Sequence, residues 1–329
     1  MLNTPHAMIL GTGRCVPEKV LTNSDLEKIV DTSDHWIIAR TGIRERRIVE
    51  PGTSLSDLAS AAAVNALDDA GVKAEEIDLI ILGTVTGDMK FPATACMIQD
   101  KLGARNAVAF DVSAACSGFL FSLRIASAMM AAAGYRRALV IGAEILTSMV
   151  NWQDRDTCVL FGDGAGAVVL GPSVDNRGII HCCLGSDGSC AKLLYNPGCG
   201  SINPPTPENA AAQLHTIHMA GKEVFRHAVT AMTNAMQQVL QEAGIAPDQL
   251  HLLIPHQANL RIIEAVAKRF DIPAEKVYVN VDRLGNTSSA SIPIAIDEAR
   301  RSGKIAPGNL VGMVTFGAGL TWASSVIRF

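Results

Sequence analysis

Residues Leu67–Ile81 read LDDAGVKAEEIDLII and residues Leu240–Ile254 read LQEAGIAPDQLHLLI. The two align without a gap, with Leu, Ala, Gly, Leu and Ile identical at matching places and most other positions similar. In each, a helix runs into an Ala-Gly pair suited to a left-handed C-cap, a short polar loop follows, and a continuous apolar segment reads as a buried strand. The copies start at Leu67 and Leu240, 173 residues apart in a chain of 329, which is about half its length. A supersecondary unit repeated at that spacing predicts two related halves, set at residues 1–171 and 172–329.

Working outward, Ala138–Ala143 (ALVIGA), Ala165–Leu170 (AGAVVL) and Leu310–Phe316 (LVGMVTF) read as short buried strands. Leu58–Ala70, Gly118–Ala133, Gly221–Glu242, Asn259–Phe270 and Ile292–Arg301 read as helices, and the almost wholly apolar second one is expected at the centre. This interleaving predicts an α/β protein whose sheets are largely parallel and covered by helices on both faces. Gly185–Pro207, rich in Gly, Pro, Ser and Asn, reads as a long loop that shapes a pocket.

A hydrophobic fraction of 48% supports a substantial core, and 28 basic against 32 acidic side chains, a net charge of -4, give no global electrostatic reason to expect nucleic acid or an anionic membrane as partner. The start, MLNTPHAMILGTG, has no basic flank before a long apolar segment, and Arg124 interrupts the most membrane-like stretch, Val112–Tyr135. A soluble, cytoplasmic protein is expected. The eight cysteines include no CxxC pair and read as reduced thiols rather than a disulfide frame. Cys182, Cys183, Cys190 and Cys199, with His215 and His218, match no zinc-ligand spacing, so no metal is expected.

Four motifs are candidates for chemistry. Gly162–Ala167, GDGAGA, has the form of a dinucleotide-binding turn, but the VVL that follows reads as a strand where that motif needs a helix. Its glycines therefore serve a tight turn or close packing. Cys116 lies in DVSAACSGFLF at the start of the apolar helix, where free N–H groups and the helix dipole favour a thiolate and small neighbours leave room for an acyl group. On those features alone a nucleophile and a buried structural cysteine both stand. His256 follows the strand of the second repeat copy, a position where α/β sheets commonly bind ligands, and Asn286 in GNTSSAS precedes a helix, where it could be only a cap.

Taken together, AACSG around Cys116, PHQANLRI around His256 and GNTSSAS around Asn286 resemble the β-ketoacyl-acyl carrier protein synthase III family. TSDHWIIARTGIRERR, FGDGAGAVVL and FGAGLTWASSVIRF look like the same family, so the resemblance spans nearly the whole chain. It implies the thiolase-type fold, two similar halves in five α/β/α/β/α layers. It also implies that Cys116 takes an acyl group from an acyl-CoA, acetyl-CoA being the expected primer, and that no cofactor is required. His256 and Asn286 would donate hydrogen bonds to the malonyl thioester as CO2 leaves, because negative charge then develops on its oxygen. The N–H groups of Cys116 and Ala318 would form the oxyanion hole, with alanine standing where the family usually has glycine.

The same resemblance implies CoA contacts at Thr32, Trp36, Arg40, Arg155, Lys222, Phe225, Ala258 and Asn259, with Lys222 in place of an expected asparagine. Arg261, Lys268 and Arg269 would dock the acidic acyl carrier protein. Phe91 would reach across a homodimer interface into the partner's acyl pocket, which Leu146, Phe161, Ile217, Met219 and Phe316 would line. Thiolases of the same fold use a second cysteine near the carboxyl terminus, and no cysteine follows Cys199. Type III polyketide synthases, and synthase III relatives that prime secondary metabolites or only transfer acyl groups, remain as alternatives.

Overall fold

The amino-terminal half runs β1 (Ala7–Cys15), α1 (Leu55–Ala70), β2 (Leu79–Gly83), α2 (Thr94–Leu102), β3 (Val108–Val112), α3 (Gly118–Ala133), β4 (Ala138–Ile145) and β5 (Asp163–Pro172). The carboxyl-terminal half runs β6 (Gly178–Ser186), α4 (Gly221–Ala243), β7 (Leu252–Pro255), α5 (Leu260–Arg269), α6 (Ser291–Arg301), β8 (Leu310–Gly317) and β9 (Thr321–Arg328). The structure, a computed structural model, describes residues 7–329, so residues 1–6 of the amino-terminal stretch lie outside the described residues.

Local chemistry sets these boundaries. Ser54 caps α1 by accepting from the Asp57 N–H while the Asp57 carboxylate takes the Ser54 N–H, and this capping box starts the helix earlier than the apolar periodicity alone indicates. Gly71 and Gly244 close α1 and α4 with φ of 61° and 67°, the left-handed geometry that the Ala-Gly pairs predict. Asn259 accepts from the Arg261 N–H and is the cap of α5 rather than its first residue.

The first sheet has the order β1-β5-β4-β2-β3 and the second β6-β9-β8-β7. Only the β2–β3, β2–β4 and β7–β8 pairs are parallel; β1–β5, β4–β5, β8–β9 and β6–β9 are antiparallel. The expectation of largely parallel sheets is therefore corrected to mixed ones. The helical crossovers give the parallel pairs, while β8 returns into β9 through a three-residue connection that permits only antiparallel pairing. Registers repeat between halves: Leu79 faces Ala138 and Leu252 faces Val311, each residue 173 positions from its counterpart.

Packing stacks the elements in five layers. Alternate residues of β2 and β4 (Ile80, Leu82, Leu139, Ile141) meet α1 and α2 on one face. The other face (Leu79, Ile81, Val140) meets α3 and α6, which lie between the two sheets. Beyond the second sheet, α4 and α5 cover the far face. Both faces of each sheet are thus apolar, which is why the central strands carry no alternation. The segment from Ala115 to Ala133 is long and apolar enough to cross a bilayer by length and composition, but half of it is buried, with Phe119, Leu120 and Leu123 facing the central layer.

The starts of α3 and α6 approach the sheet closely. Gly83 and Gly142 face each other on β2 and β4. A Cβ on Gly83 would lie 2.5 Å from the Gly118 carbonyl carbon, and one on Gly142 would lie 2.2 Å from the Ser289 carbonyl oxygen. Bare backbone on both sides lets the two turns meet over the sheet. Gly142→Ala is expected to destabilise by at least about 3 kcal/mol, because neither contacting atom belongs to a movable side chain. Gly188→Ala, with open space around the new methyl, should stay within about 0.5 kcal/mol. Urea titration of both variants checks the contrast.

Candidate active site

Cys116 lies on a single turn, Ala115–Ser117, that joins β3 to α3. Ala115 has φ of 48°, a left-handed conformation uncommon for a residue with a Cβ, and Ser288 has φ of 50° at the matching place in the other half, 173 residues on. These two turns contact each other. Cys116 is buried, and burial pushes its thiol up to about 12, with a hydrogen bond involving Ser288 opposing and nearby Glu144 adding to the rise. The sequence leaves open whether burial or the helix N-terminus prevails at this sulfur; in the fold, desolvation is the largest effect and favours the neutral thiol.

His256 follows β7, its N–H donating to the Val314 carbonyl at 2.8 Å. Its Nδ1 lies 2.7 Å from Ser291 Oγ on the first turn of α6. Burial pulls its pKa down to about 3, so the ring is neutral. A serine hydroxyl donates or accepts, so Ser291 satisfies either ring tautomer and leaves Nε2 as acceptor or donor in turn.

Asn286 is fixed from both sides of its backbone, its N–H donating to Leu160 O at 2.8 Å and its carbonyl accepting from Gly162 N at 3.0 Å. The Ser288 N–H donates to Asn286 Oδ1 at 2.8 Å, which orients the amide and leaves Nδ2 as a donor. Gly285 before it has φ of 64°, and a Cβ there would sit 2.8 Å from the Leu160 carbonyl oxygen, so GN is required as a pair.

Three adjoining cavities run past these groups. The outermost, about 620 Å³, is lined by Trp36, Arg40, Lys222, Phe225, Asn259 and Arg261, among others. It shares Leu160, Met219, Gly221, Phe225 and Asn259 with a narrower passage of about 120 Å³ that also holds Cys116, His256, Ala258, Asn286 and Phe316. Cys116, Phe161 and Leu194 join that passage to an inner cavity of about 370 Å³ lined by Leu146, Ile217, Ser288 and Ala318. The sequence readings thus divide: Leu146, Phe161 and Ile217 line the inner cavity, whereas Met219 and Phe316 line the passage before it. Ala318 has φ outside the left-handed region, so alanine fits there without strain. The segment read as a long loop is partly ordered into a turn, Gly188–Leu193, and a short strand, Leu194–Tyr195, which pairs with His218–Met219 and lines the inner cavity.

At the outer mouth the Arg40 and Arg155 guanidiniums stand 4.7 and 5.2 Å from the Trp36 ring centroid. Arg155 reaches the cavity only through Trp36, and Thr32 lines none of the three, its hydroxyl being buried without a partner. Arg261 lies over the Phe225 ring at 5.3 Å, and Lys268 and Arg269 are exposed further along α5. Phe91 is 81% exposed and lines none of these three cavities.

Glu144 is the group that sequence reasoning missed. It is fully buried at the end of β4 and accepts from the Thr84, Thr86, Ser288 and Ser289 hydroxyls and the Val85 N–H. Burial raises its pKa to about 7. Its one sequence signal is a lone charge in an otherwise uncharged strand, ALVIGAEI. Ser291, which orients His256, has no signal beyond its place in a serine-rich turn.

A family model for 3-oxoacyl-[acyl-carrier-protein] synthase III matches residues 110–188, and its C-terminal counterpart matches residues 240–329. The chain is 55% identical over 323 residues to the β-ketoacyl-[acyl-carrier-protein] synthase III of Caldanaerobacter subterraneus subsp. tengcongensis, covering 98% of each. Its fold matches the 3-oxoacyl-[acyl-carrier-protein] synthase III of Aquifex aeolicus VF5 at a TM-score of 0.92 and 48% identity, over 98% of this chain and 100% of that one. It also matches the priming β-ketosynthase of the R1128 polyketide biosynthetic pathway at 0.92 and 36% identity, over 100% of this chain and 98% of that one. Likeness of this extent makes the protein a condensing acyltransferase of the thiolase fold. The chain belongs to the β-ketoacyl-acyl carrier protein synthase III family.

Two pH effects follow from the burial of this site. Alkylation of Cys116 by iodoacetamide should keep rising about tenfold per pH unit up to about pH 9, since a neutral thiol gives no plateau below its pKa; a plateau below about pH 8 would contradict this. Glu144 holds its proton more tightly in the folded state, its pKa being raised from 4.5 to about 7, so its contribution to stability is present below 4.5 and is lost as pH rises through 7. Glu144→Gln should therefore gain on the wild type by on the order of 3 kcal/mol across that window, read as the difference in urea midpoints against pH.

Proposed function

We propose that the chain condenses an acyl-CoA primer, with acetyl-CoA expected, and malonyl-acyl carrier protein to give a 3-oxoacyl-acyl carrier protein, CoA and CO2, starting fatty acid synthesis in the cytoplasm. The observation that carries this reading is the position of Cys116, where a passage bearing His256 and Asn286 meets an apolar cavity. A long thioester substrate needs such a tunnel, and a small acyl group needs such a chamber.

In the first half-reaction the Cys116 sulfur attacks the acyl-CoA carbonyl. Its S–C bond forms, the bond to CoA breaks, and the thiol proton leaves with CoA, relayed by Nε2 of His256 while Nδ1–H donates to Ser291. In the second, the malonyl carboxylate departs as CO2 and its electron pair moves into the thioester, giving an enolate. Nε2–H of the other His256 tautomer and the Asn286 amide donate to that oxygen. The carbanion attacks acyl-Cys116, the N–H groups of Cys116 and Ala318 hold the oxyanion, and the expelled thiolate takes one proton. The electron pair for the new bond comes from the carboxylate, so the reaction calls for no cofactor or metal.

Trp36 and Arg40 would hold the adenine end of CoA, with Arg155 and Thr32 supporting them and Lys222, Phe225, Ala258 and Asn259 along the tunnel. Arg261, Lys268 and Arg269, exposed and without a carboxylate partner among the described residues, would meet the acidic carrier protein. A homodimer is supported by the unpaired edge of β3, where Val108 is 46% exposed, together with the exposed Phe91, which would enter the partner's acyl pocket. In this reading residues 1–171 supply the nucleophile and 172–329 the His256 and Asn286 donors. The similarity to a priming ketosynthase of a polyketide pathway supports a second reading, in which the same chemistry primes a secondary metabolite.

Incubation with a panel of acyl-CoAs should place one acyl group on Cys116 by peptide mass spectrometry, and malonyl-carrier protein should then release CO2 and a 3-oxoacyl product. Asn286→Ala should still acylate but lose about 10²–10³-fold in condensation, the usual cost of one oxyanion donor, His256→Ala should slow acylation as well because its Nε2 relays the thiol proton, and Asn286→Asp should lose more than Asn286→Ala because a carboxylate repels the enolate. Acylation followed only by hydrolysis, or normal acylation of Cys116→Ser, would sink the mechanism.

A further inference from the structure

The cysteine and histidine cluster suggested by sequence proximity does not converge, since Cys182 faces the central layer and Cys199 lines the inner cavity. Cys183 has other partners. It lies on β6, the edge strand of the second sheet, and β6 is bulged where Val326 and Ile327 of β9 face His181 and Ile179. The bulge resets the alternation, so that Ile179 and Cys182 pack into the central layer while Ile180 and Cys183 pack toward α4. His181 turns the same way and meets Glu242 on the last turn of α4.

His181 Nε2 lies 2.6 Å and Cys183 Sγ 3.4 Å from Glu242 Oε2. All three ligand atoms fall within 4.8 Å of one another. Around a tetrahedral zinc ion, ligand atoms bound at about 2.0–2.3 Å stand about 3.3–3.6 Å apart, so side-chain adjustment alone would centre an ion here. Nitrogen, sulfur and carboxylate oxygen are the donors that suit zinc, and three protein ligands leave the fourth position to water. Gln238, one turn back on α4, donates to Glu242 Oε1 at 2.9 Å and so orients the carboxylate from outside. Cys183 is buried whereas Glu242 is exposed, which leaves an entry path on the helix side.

We propose that His181, Cys183 and Glu242 form a binding site for a zinc-class divalent ion that clips the end of α4 to the edge strand β6. The opposite end of α4 carries Gly221, Lys222 and Phe225 at the mouth of the substrate tunnel, so the clip anchors a helix that borders the active site from its far end. Cys183 donates its thiol proton to Glu242 Oε2. Binding forms the sulfur–metal bond and releases that proton to solvent, so apparent affinity rises with pH.

The test uses the full chain after dialysis against a chelator, titrated with Co2+ and, separately, with Zn2+. A thiolate-to-cobalt absorption band saturating at one ion per chain is expected, together with a rise in Tm on adding Zn2+. The band should vanish in Cys183→Ser and persist in Cys116→Ser and Cys199→Ser. Gln238→Ala should weaken binding by about tenfold, and loss of a direct ligand in His181→Ala or Glu242→Ala by more. Glu242→Ala alters only an exposed position and serves if Cys183→Ser does not fold. No cobalt band in the wild type, a band that survives in Cys183→Ser, or affinity unchanged in both His181→Ala and Glu242→Ala would overturn the site. A Zn2+-bound protein with an unchanged Tm would overturn the clip.

Discussion

Glu144 is a carboxylate buried without a cation beside it, held by hydroxyl and amide donors from both halves of the chain. Such a group is tolerated only when its oxygens are fully engaged, since desolvating it otherwise costs several kcal/mol. Satisfying it ties the Thr84–Thr86 segment after β2 to the Ser288–Ser289 turn before α6. That turn also orients Asn286 through the Ser288 N–H and approaches Cys116. One polar knot among apolar layers thus ties together the turns that carry Cys116 and Asn286.

The knot is possible because the two central turns approach bare backbone. Gly83 and Gly142 face each other across neighbouring strands, and each lets one turn come within van der Waals distance. Interior packing is dense enough that a methyl group at either place has nowhere to go. The apolar helix α3 and the layers outside it are stabilised by ordinary burial, but the register of the site is fixed by these close contacts.

Burial also sets the protonation states. Cys116 and His256 both sit deep enough that desolvation moves them toward their neutral forms, the thiol upward and the imidazole downward. A charged histidine would not be stable at that depth.

Local chemistry made much of this legible in sequence. The duplicated helix-loop-strand, the Gly71 and Gly244 caps, the apolar α3 and the three separated motifs follow from periodicity, from residues with special backbone freedom and from residue types that chemistry demands, all of which are properties of neighbouring positions. Sheet direction was misread because a continuous apolar run reports two covered faces and says nothing of which way its partner runs. The neutral Cys116, the role of Glu144 and Ser291, the division of Met219 and Phe316 from the inner cavity, and the meeting of His181 and Cys183 with Glu242 all depend on residues far apart in the chain. Those were decided only when tertiary packing excluded water and brought the halves together, because desolvation and side-chain proximity are properties of the folded interior.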